Sequence, residues 1–294
     1  MRAKQKFKLS ATIIGICFLL HGIPVFAAES SEMIEFDLKT NEMKTVEIEE
    51  QNSDSVDSYI PEGISTGIQT YGAIIDGDDR YRIPASLSST TFPYCSYGVV
   101  SCTWPDGASS FGTGWLFGPN DVATAAHVVY SQENGGYPSS IIFYPGVNNS
   151  GSIVGASYEA TIAVLPATYQ SERDETKDYA FLSLNSNIGN TLGYLGWTTS
   201  VSVGNTMALT GYAGEHPYEL WEGIGQIKST SGSFLRYTAD SSRGMSGGAI
   251  YLTIPMKAAG FNHGGYPGES YNYGVKINSS IANETVSYTH LTLP

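Results

Sequence analysis

The segment Gly244-Met245-Ser246-Gly247-Gly248 places a serine between glycines on both sides. Glycine lets the backbone turn sharply, and such a turn leaves N–H groups free to point at a ligand. A serine held there would supply both the nucleophile and the hydrogen-bond donors that acyl transfer needs. Taken alone, such a segment is more often an ordinary turn between two strands. The rest of the chain must therefore supply a base and an acid that orients it.

Two further segments contain these groups. His127 follows the small residues 123–126, and Asp178 precedes the apolar run 179–184. An acid entering a buried strand must be hydrogen-bonded, and an imidazole N–H is one partner that satisfies it. Separately, His127 could be a structural hydrogen-bonding residue and Asp178 a strand cap. The order His127, Asp178, Ser246 is nevertheless one of the few chain orders known for a catalytic triad.

The composition indicates an all-β protein. The chain has 294 residues with 33 glycines and 20 tyrosines, and its 15 basic against 28 acidic residues give a formal charge of −13. This charge disfavours nucleic acid and anionic membranes as partners. Turn residues separate twelve short stretches rich in β-branched and aromatic residues, which fit two small barrels or a sandwich. The twelve stretches are 97–104, 114–118, 121–125, 141–144, 158–165, 179–184, 206–212, 220–229, 233–239, 248–253, 258–263 and 273–277.

The N-terminal region predicts export. Residues 1–27 have a basic start, an apolar run and the small-residue cleavage site Val25-Phe26-Ala27, which is typical of a signal peptide. The apolar run is too short to span a membrane, so we expect a secreted, extracellular protein without stable membrane association. Residues 28–72 are acidic and poor in aromatics, as in a propeptide or a solvated linker without its own core. A stable acidic interaction tail is the alternative.

The cysteines and histidines predict a disulfide and no metal. Cys17 leaves with the signal peptide, so Cys95 and Cys102 remain in an oxidising compartment, where a disulfide closing a small loop is expected. The five histidines and the cysteines show no zinc-ligand spacing. We therefore expect no metal and no cofactor.

The three segments around His127, Asp178 and Ser246 resemble those of chymotrypsin-fold serine proteases. The closest match is the bacterial glutamyl endopeptidase branch, which residues 75–82 and 112–119 also resemble. The resemblance extends over most of the chain from residue 73 to residue 277. It implies two six-stranded antiparallel β-barrels with the active site in the cleft between them. Residues 73–190 would form the first barrel, with His127 and Asp178, and residues 191–294 the second, with Ser246.

The resemblance also implies a role for each site residue. His127 would be the general base, Asp178 its orienting acid and Ser246 the nucleophile that forms an acyl-enzyme. The backbone amides of Gly244 and Ser246 would form the oxyanion hole. This mechanism would act on protein or peptide substrates, and we expect a monomer.

Substrate preference follows from two more positions. By the same resemblance, Ser241 and His263 would bind the carboxylate of a Glu, or of an Asp, before the scissile bond, because an imidazole and a hydroxyl can hold a carboxylate by charge-assisted hydrogen bonds. The mature α-amino group contributes to this pocket in relatives, so removal of propeptide 28–72 would activate a zymogen.

Two alternatives remain open at this point. The first is a protease of the same fold with another preference before the cut. The second is a catalytically silent binding module, although silent relatives usually lack a triad member and this sequence has all three. The C-terminal residues 287–294 do not resemble the amphipathic helix that closes this fold.

Overall fold

The computed structural model describes residues 31–48, 53–67, 77–149, 155–265 and 268–291. The predicted signal peptide and the predicted activation site near residue 72 lie outside these residues. The strands are β1 (Glu32–Asp37), β2 (Glu42–Glu47), β3 (Ser55–Val56), β4 (Ser65–Thr66), β5 (Tyr81–Arg82), β6 (Thr91–Phe92), β7 (Tyr97–Thr103), β8 (Ser109–Leu116), β9 (Asp121–Thr124), β10 (Ser140–Pro145), β11 (Tyr158–Pro166), β12 (Ala180–Leu184), β13 (Trp197–Thr198), β14 (Thr206–Tyr212), β15 (Leu220–Ser229), β16 (Phe234–Tyr237), β17 (Ala249–Leu252), β18 (Lys257–Gly265) and β19 (Asn272–Lys276). The helices are α1 (Ala85–Ser88), α2 (Ala126–Val129), α3 (Ala167–Glu172), α4 (Gly189–Leu192) and α5 (Ser279–Leu291), with 3-10 turns at Tyr94–Ser96 and Glu175–Lys177.

Twelve of these strands form two closed antiparallel barrels, which confirms the predicted fold. The first barrel has the order β7-β8-β9-β12-β11-β10 and closes through β10 and β11. The second has the order β14-β15-β16-β19-β18-β17 and closes through β17 and β18. Each barrel encloses a cluster of buried apolar side chains. A third cluster lies between them, where the rings of Trp115 and Phe261 are 6.0 Å apart.

All twelve predicted strands are present, and the largest difference is at the start of β8. This strand begins at Ser109 rather than at residue 114, because its backbone pairs with β7 along its whole length, from Ser109 opposite Thr103 to Trp115 opposite Tyr97. Ser109 and Ser110 are exposed and polar, so the apolar pattern of the sequence does not predict that they belong to the strand. Backbone hydrogen bonds to β7 extend the strand over these residues.

The acidic N-terminal segment belongs to the fold. β1 and β2 form a hairpin that adds to β11 of the first barrel, whereas β3 pairs with β13 beside the second. Met33 is 1% exposed, and the ring of Phe36 stacks on that of Tyr137 at 4.2 Å. The buried Met33 and the stacked Phe36 show that this hairpin is not a solvated linker. The barrels supply the apolar surface that the segment lacks.

The C-terminal region contains the helix α5, which includes residues 287–291 although residues 287–294 do not resemble the closing helix of this fold. In α5, Ile281 and Ala282 are buried, and the buried Tyr288 is 2.6 Å from Ser183 Oγ of β12 through its hydroxyl. Glu284 accepts a hydrogen bond from the hydroxyl of Tyr179. Polar side chains such as Glu284 are buried along with the apolar ones, so the sequence lacks the simple apolar stripe of a surface helix.

The predicted disulfide is also wrong, because Cys95 and Cys102 are both free and buried. Cys95 lies in a turn before β7 and Cys102 near the end of this strand. The extended stretch from Tyr97 to Cys102 alone spans about 16 Å at roughly 3.3 Å per residue, whereas a disulfide needs Cα atoms about 6 Å apart. Burial raises the pKa of both thiols to about 12, so neither forms a thiolate near neutral pH.

A buried carboxyl group joins several elements of the second barrel. Glu222 of β15 is fully buried and accepts hydrogen bonds from four hydroxyls. Thr210 lies at 2.5 Å, Tyr251 at 2.6 Å and Tyr94 at 3.1 Å, and Tyr81 of β5 also donates. Burial raises the pKa of Glu222, although the hydrogen bonds act in the opposite direction.

We expect this raised pKa to make stability depend on pH. The folded state holds the Glu222 proton more tightly than the unfolded chain, whose ordinary value is 4.5. The resulting stabilisation is present below this value and is lost as the pH rises through the folded pKa. Glu222→Gln should therefore show a smaller fall in the free energy of unfolding between about pH 4 and pH 8. Glu222→Ala should lose about 3 kcal/mol, because buried hydroxyls lose their acceptor. Urea unfolding across this range is the measurement, and equal slopes for wild type and Glu222→Gln would contradict the interpretation.

Candidate active site

Segments of both barrels bring the three candidate residues together. His127 is the second residue of α2, the short helix that follows β9. Asp178 lies shortly before β12, which pairs with β9. The Ser246 turn comes from the second barrel and bonds to the first. Thr113 of β8 donates its N–H to Ser246 O at 2.9 Å and its hydroxyl to Gly244 O at 2.8 Å. The site therefore lies in the cleft between the barrels.

Asp178 holds His127 through two hydrogen bonds. The backbone N–H of His127 donates to Asp178 Oδ1 at 2.9 Å, and Nδ1 of its ring lies 2.7 Å from Oδ2. Asp178 is 1% exposed. Burial acts against ionisation of Asp178, but the adjacent histidines outweigh it and hold the pKa of this carboxyl well below its usual range. Burial likewise lowers the pKa of His127, but the charge and hydrogen bond of Asp178 outweigh it, so the net shift is upward.

A second imidazole binds the same carboxylate. His263 Nδ1 lies 2.5 Å from Asp178 Oδ2, and its ring meets that of His127 edge-on at 5.3 Å. An ionised carboxylate only accepts hydrogen bonds, so each Nδ1 carries a proton and each Nε2 is left for another partner. The sequence marked His263 as a site residue but gave no sign that it contacts Asp178. The two residues are 85 positions apart, and only the pairing of the two barrels brings them together.

Glycine is required in the Ser246 turn. Gly244 has φ +86°, and a Cβ there would lie 2.4 Å from Tyr212 O. The carbonyl of Arg243 accepts from Gly214 N at 2.6 Å. Because C=O and N–H of a trans peptide point in opposite directions, Gly244 N–H is directed away from Gly214. Within the described residues, neither Gly244 N–H nor Ser246 N–H has a hydrogen-bond partner.

The one hydrogen bond that the Ser246 hydroxyl forms among the described residues is not to His127. This hydroxyl lies 3.4 Å from the carbonyl oxygen of His263, and no hydrogen bond to the His127 ring is formed in the described part of the chain. Catalytic hydrogen bonds are often long or absent without substrate and tighten in the complex. The geometry thus places an oriented imidazole in the same cleft as a serine whose turn has two amides without a partner among the described residues.

An open cavity of about 490 Å³ adjoins Ser246. Both residues predicted to recognise a carboxylate, Ser241 and His263, line it. The exposed Arg243 lies on its rim and forms no ion pair with a described residue. The complete lining is Glu175, Ser241, Ser242, Arg243, Ser246, His263, Gly264, Gly265, Asn272 and Tyr273.

Sequence reasoning missed Asn262, which supports this cavity from inside the barrel. Asn262 is 1% exposed, and its Nδ2 donates to Ser241 Oγ at 3.0 Å and to Met245 O at 2.9 Å. Its Oδ1 accepts from Tyr237 OH at 2.5 Å. Asn262 therefore links the Ser241 hydroxyl to the turn that contains Ser246. The available signal was an amide side chain inside an otherwise apolar strand, which must find partners when buried.

Arg80 was also missed, and it connects the segment before β5, a strand that pairs with β15 of the second barrel, to the Ser246 turn. Its side chain is 6% exposed. Nη1 donates to Ser242 Oγ at 2.5 Å and lies 3.4 Å from the sulfur of Met245, while Nη2 pairs with Asp78 at 2.7 Å and with Glu215. A residue close in sequence to the predicted activation site thus contacts the loop that carries Ser246.

One group within the described ranges has atoms placed to share a metal ion. It consists of His127, Asp178 and His263, whose ligand atoms lie within 4.8 Å of one another. The same atoms form the hydrogen bonds of the site, so an ion would compete with the orientation of His127. In the part of the chain that the structure describes, no helix is long and apolar enough to cross a membrane.

Comparisons with known proteins agree with this architecture. A family described as "Trypsin-like peptidase domain" matches residues 112–253. The chain is 33% identical over 230 residues to "Extracellular metalloprotease" of Bacillus subtilis, covering 75% of this chain and 71% of the relative. It is 31% identical over 229 residues to "Glutamyl endopeptidase" of Bacillus licheniformis, covering 74% and 69%. A solved structure of Glu endopeptidase in complex with MPD has a TM-score of 0.63 and 26% identity over 74% of this chain and all of that one.

The two barrels and the matched peptidase domain define the class: this chain is a serine-type endopeptidase, and its substrates are proteins or peptides. It belongs to the family of chymotrypsin-fold, trypsin-like peptidases and is related within it to the bacterial glutamyl endopeptidases.

Proposed function

We propose that this enzyme hydrolyses the peptide bond after a glutamate residue through a Ser246–His127–Asp178 triad. The observation that carries the proposal is the 2.7 Å contact between the buried Asp178 and Nδ1 of His127, in a cleft that also contains Ser246. A serine hydroxyl is a weak nucleophile near neutral pH and needs such an oriented base. A catalytically silent module has no need for this arrangement.

In this mechanism His127 Nε2 takes the proton of Ser246 as Oγ attacks the scissile carbonyl. Asp178 stabilises the imidazolium that forms, and the tetrahedral oxyanion accepts hydrogen bonds from the amides of Gly244 and Ser246. Collapse expels the amine, which receives the proton from His127, and leaves an acyl-enzyme on Ser246. Water activated by His127 then releases the acid product and restores the serine.

The cavity beside Ser246 supports a preference for an acidic side chain. His263 has its Nδ1 on Asp178, so its Nε2 is available to donate to a substrate carboxylate when the ring is protonated. The hydroxyl of Ser241 is held by Asn262, and Arg243 adds a positive charge at the rim. Because a relative of this chain is named glutamyl endopeptidase, a preference for glutamate before the cut is the first one to test.

We further propose that the protein is secreted through signal peptide 1–27 and matures when the peptide chain is cleaved near residue 72. In this arrangement residues 73–190 and 191–294 are the two halves of a monomeric protease. Arg80 supports a link between maturation and activity, because it bonds to Ser242, four residues before Ser246. Asp79 N–H also donates to Asp240 at 3.0 Å, beside Ser241. A new chain end close to these residues would act on the substrate pocket directly.

A peptide panel tests both parts of the proposal. Fluorogenic peptides that differ only in the residue before the cut would carry Glu, Asp, Gln, Ala, Phe or Lys, and each would be assayed with the intact and the processed chain. We expect kcat/KM to be highest for Glu and at least about 100-fold lower for Gln, since only the carboxylate forms charge-assisted bonds. Equal rates for Glu and Gln would refute the acidic preference, and full activity of the intact chain would refute the zymogen.

A further inference from the structure

We propose that the clasp, defined here as the segment whose described residues are 31–48 and 53–67, stays bound to the barrels as a second chain after the link to residue 73 is cut. The mature protease would then be a two-chain assembly. This inference rests on the proposed processing near residue 72. Strand pairing, buried side chains and close backbone contacts each support it, and they involve both barrels.

The clasp fills an open strand edge of the first barrel. β10 pairs with β11 only at Tyr158 and Glu159, which leaves the later part of that edge of β11 without a barrel partner. β1 occupies it, with five residue pairs that run from Met33 opposite Pro166 to Asp37 opposite Ile162. Loss of the clasp would expose this row of N–H and C=O groups, which is a template for aggregation. Addition of a strand to a free edge is an established mode of non-covalent peptide binding.

Buried side chains anchor the same hairpin. Met33 is 1% exposed and belongs to the buried cluster that also contains Val164 of β11 and Tyr288 of α5. Phe36 is 7% exposed and lies parallel to the Tyr137 ring, with an angle of 7° between the planes. Full burial of one large apolar side chain contributes roughly 1.5–3 kcal/mol. A clasp held only by its covalent link would not need to bury them.

The second half of the clasp is fitted to glycines that follow the first barrel. Tyr59 and Tyr194 exchange two backbone hydrogen bonds, of 2.9 and 3.0 Å. A Cβ at Gly196 would lie 2.0 Å from Val56 O, and one at Gly193 would lie 2.7 Å from Tyr59 O. The backbone of the protease body can approach the clasp this closely only where it has no side chain.

Polar contacts extend this attachment to β18 of the second barrel. Ser58 Oγ accepts from Gly196 N at 2.8 Å and donates to Met256 O at 2.9 Å. Lys257 Nζ lies 2.6 Å from Asp57 Oδ1. The clasp therefore contacts both halves of the protease.

The cleft stays open with the clasp in place. Among the described residues, no member of the clasp lines the cavity that contains Ser246 and His263. The clasp is therefore not a plug that must leave before substrate enters. Cutting the link would free the chain end before Asp79 and Arg80, while the clasp keeps its own contacts.

The test uses the full chain with Ser246→Ala, so that self-cleavage cannot confuse the result. Residues 68–72 are replaced by the recognition sequence of a site-specific protease, and the chain is cut after folding. We expect two fragments under denaturing conditions but one complex, with their summed mass, by native mass spectrometry and gel filtration at micromolar concentration. Separation of the fragments without denaturant would overturn the proposal.

Two aspartate substitutions in the hairpin provide a matched pair. Met33→Asp places a charge in the buried cluster and should raise the dissociation constant of the clasp by about 100-fold or more. Met43→Asp makes the same change at a position that is 60% exposed and should leave binding within about twofold. If the clasps with Met33→Asp and with Met43→Asp stayed bound equally well, burial of Met33 would not be what holds the clasp.

If Met33→Asp fails to fold, hydrogen exchange of the cut complex without this substitution gives the answer. Amides of β11 that donate to β1 should stay protected after the cut, and rapid exchange there would show that the clasp has left. The zymogen proposal is tested separately, by activity of the chain that retains Ser246. If the chain proves not to be a zymogen, the experiment still shows whether the clasp stays bound, because the added site-specific protease makes the cut.

Discussion

Ser246→Ala is expected to reduce kcat/KM for a Glu-containing fluorogenic peptide by about 10⁴- to 10⁶-fold. The substitution removes the atom that we propose forms the acyl-enzyme, and it leaves the backbone amides of Gly244 and of the new alanine in place. The side chain is small and partly exposed, and among the described residues its hydroxyl forms one hydrogen bond, of 3.4 Å to His263 O. The free energy of unfolding should therefore change by less than about 0.5 kcal/mol.

Ser231→Ala is the matched control, because it makes the same change in an exposed turn of the second barrel. This control should retain full activity. Stopped turnover with unchanged thermal unfolding in Ser246→Ala would identify a chemical role. Substantial residual cleavage by a Ser246→Ala preparation shown to be free of other proteases would eliminate Ser246 as the nucleophile.

Asp178→Asn is expected to lower kcat by on the order of 10⁴-fold while the fold survives. The amide of the new side chain can donate to Nδ1 of His127, which forces the ring proton onto Nε2 and leaves no lone pair for the Ser246 proton. Asp178 also orders His263, so the loss should include weaker discrimination of Glu from Gln. The substitution thus affects both the base and the proposed recognition residue.

The pH profile separates this role from a purely structural one. Asp178 raises the pKa of His127 above its ordinary value of 6.5, and the base must be neutral to accept a proton. Activity of the wild type should therefore be lost as the pH falls through a value above 6.5. Without the Asp178 charge, this acid limb should move to lower pH in the residual activity. Asp106→Asn, at an exposed loop position, should leave the limb unchanged, and an unshifted limb in Asp178→Asn would contradict the assignment.

The sequence predicted the twelve barrel strands because their apolar residues and turn residues repeat over short distances. It also selected His127 and Asp178, which the structure places in contact, and Ser246, which lies in the same cleft. The local sequence pattern did not predict structure in segments whose burial depends on contact with another part of the chain. In the hairpin of residues 32–47 only Met33 and Phe36 are buried, and contacts with residues of the barrels bury both of them.

Other features depended on distance in space rather than on spacing in sequence. Cys95 and Cys102 are close along the chain, but an extended strand separates them, so they remain unpaired. Asp178 receives a second histidine from β18, and Asn262 joins Ser241 to the nucleophile turn. No local pattern encodes these contacts.

The sequence by itself determined which segments form strands and which residue types are available for acyl transfer, because both follow from side-chain chemistry over a few neighbouring positions. Only the tertiary structure decided which strand edge the N-terminal segment occupies, how α5 is buried and how two imidazoles share Asp178. Those outcomes depend on long-range backbone pairing and on desolvation, and both are properties of the assembled barrels.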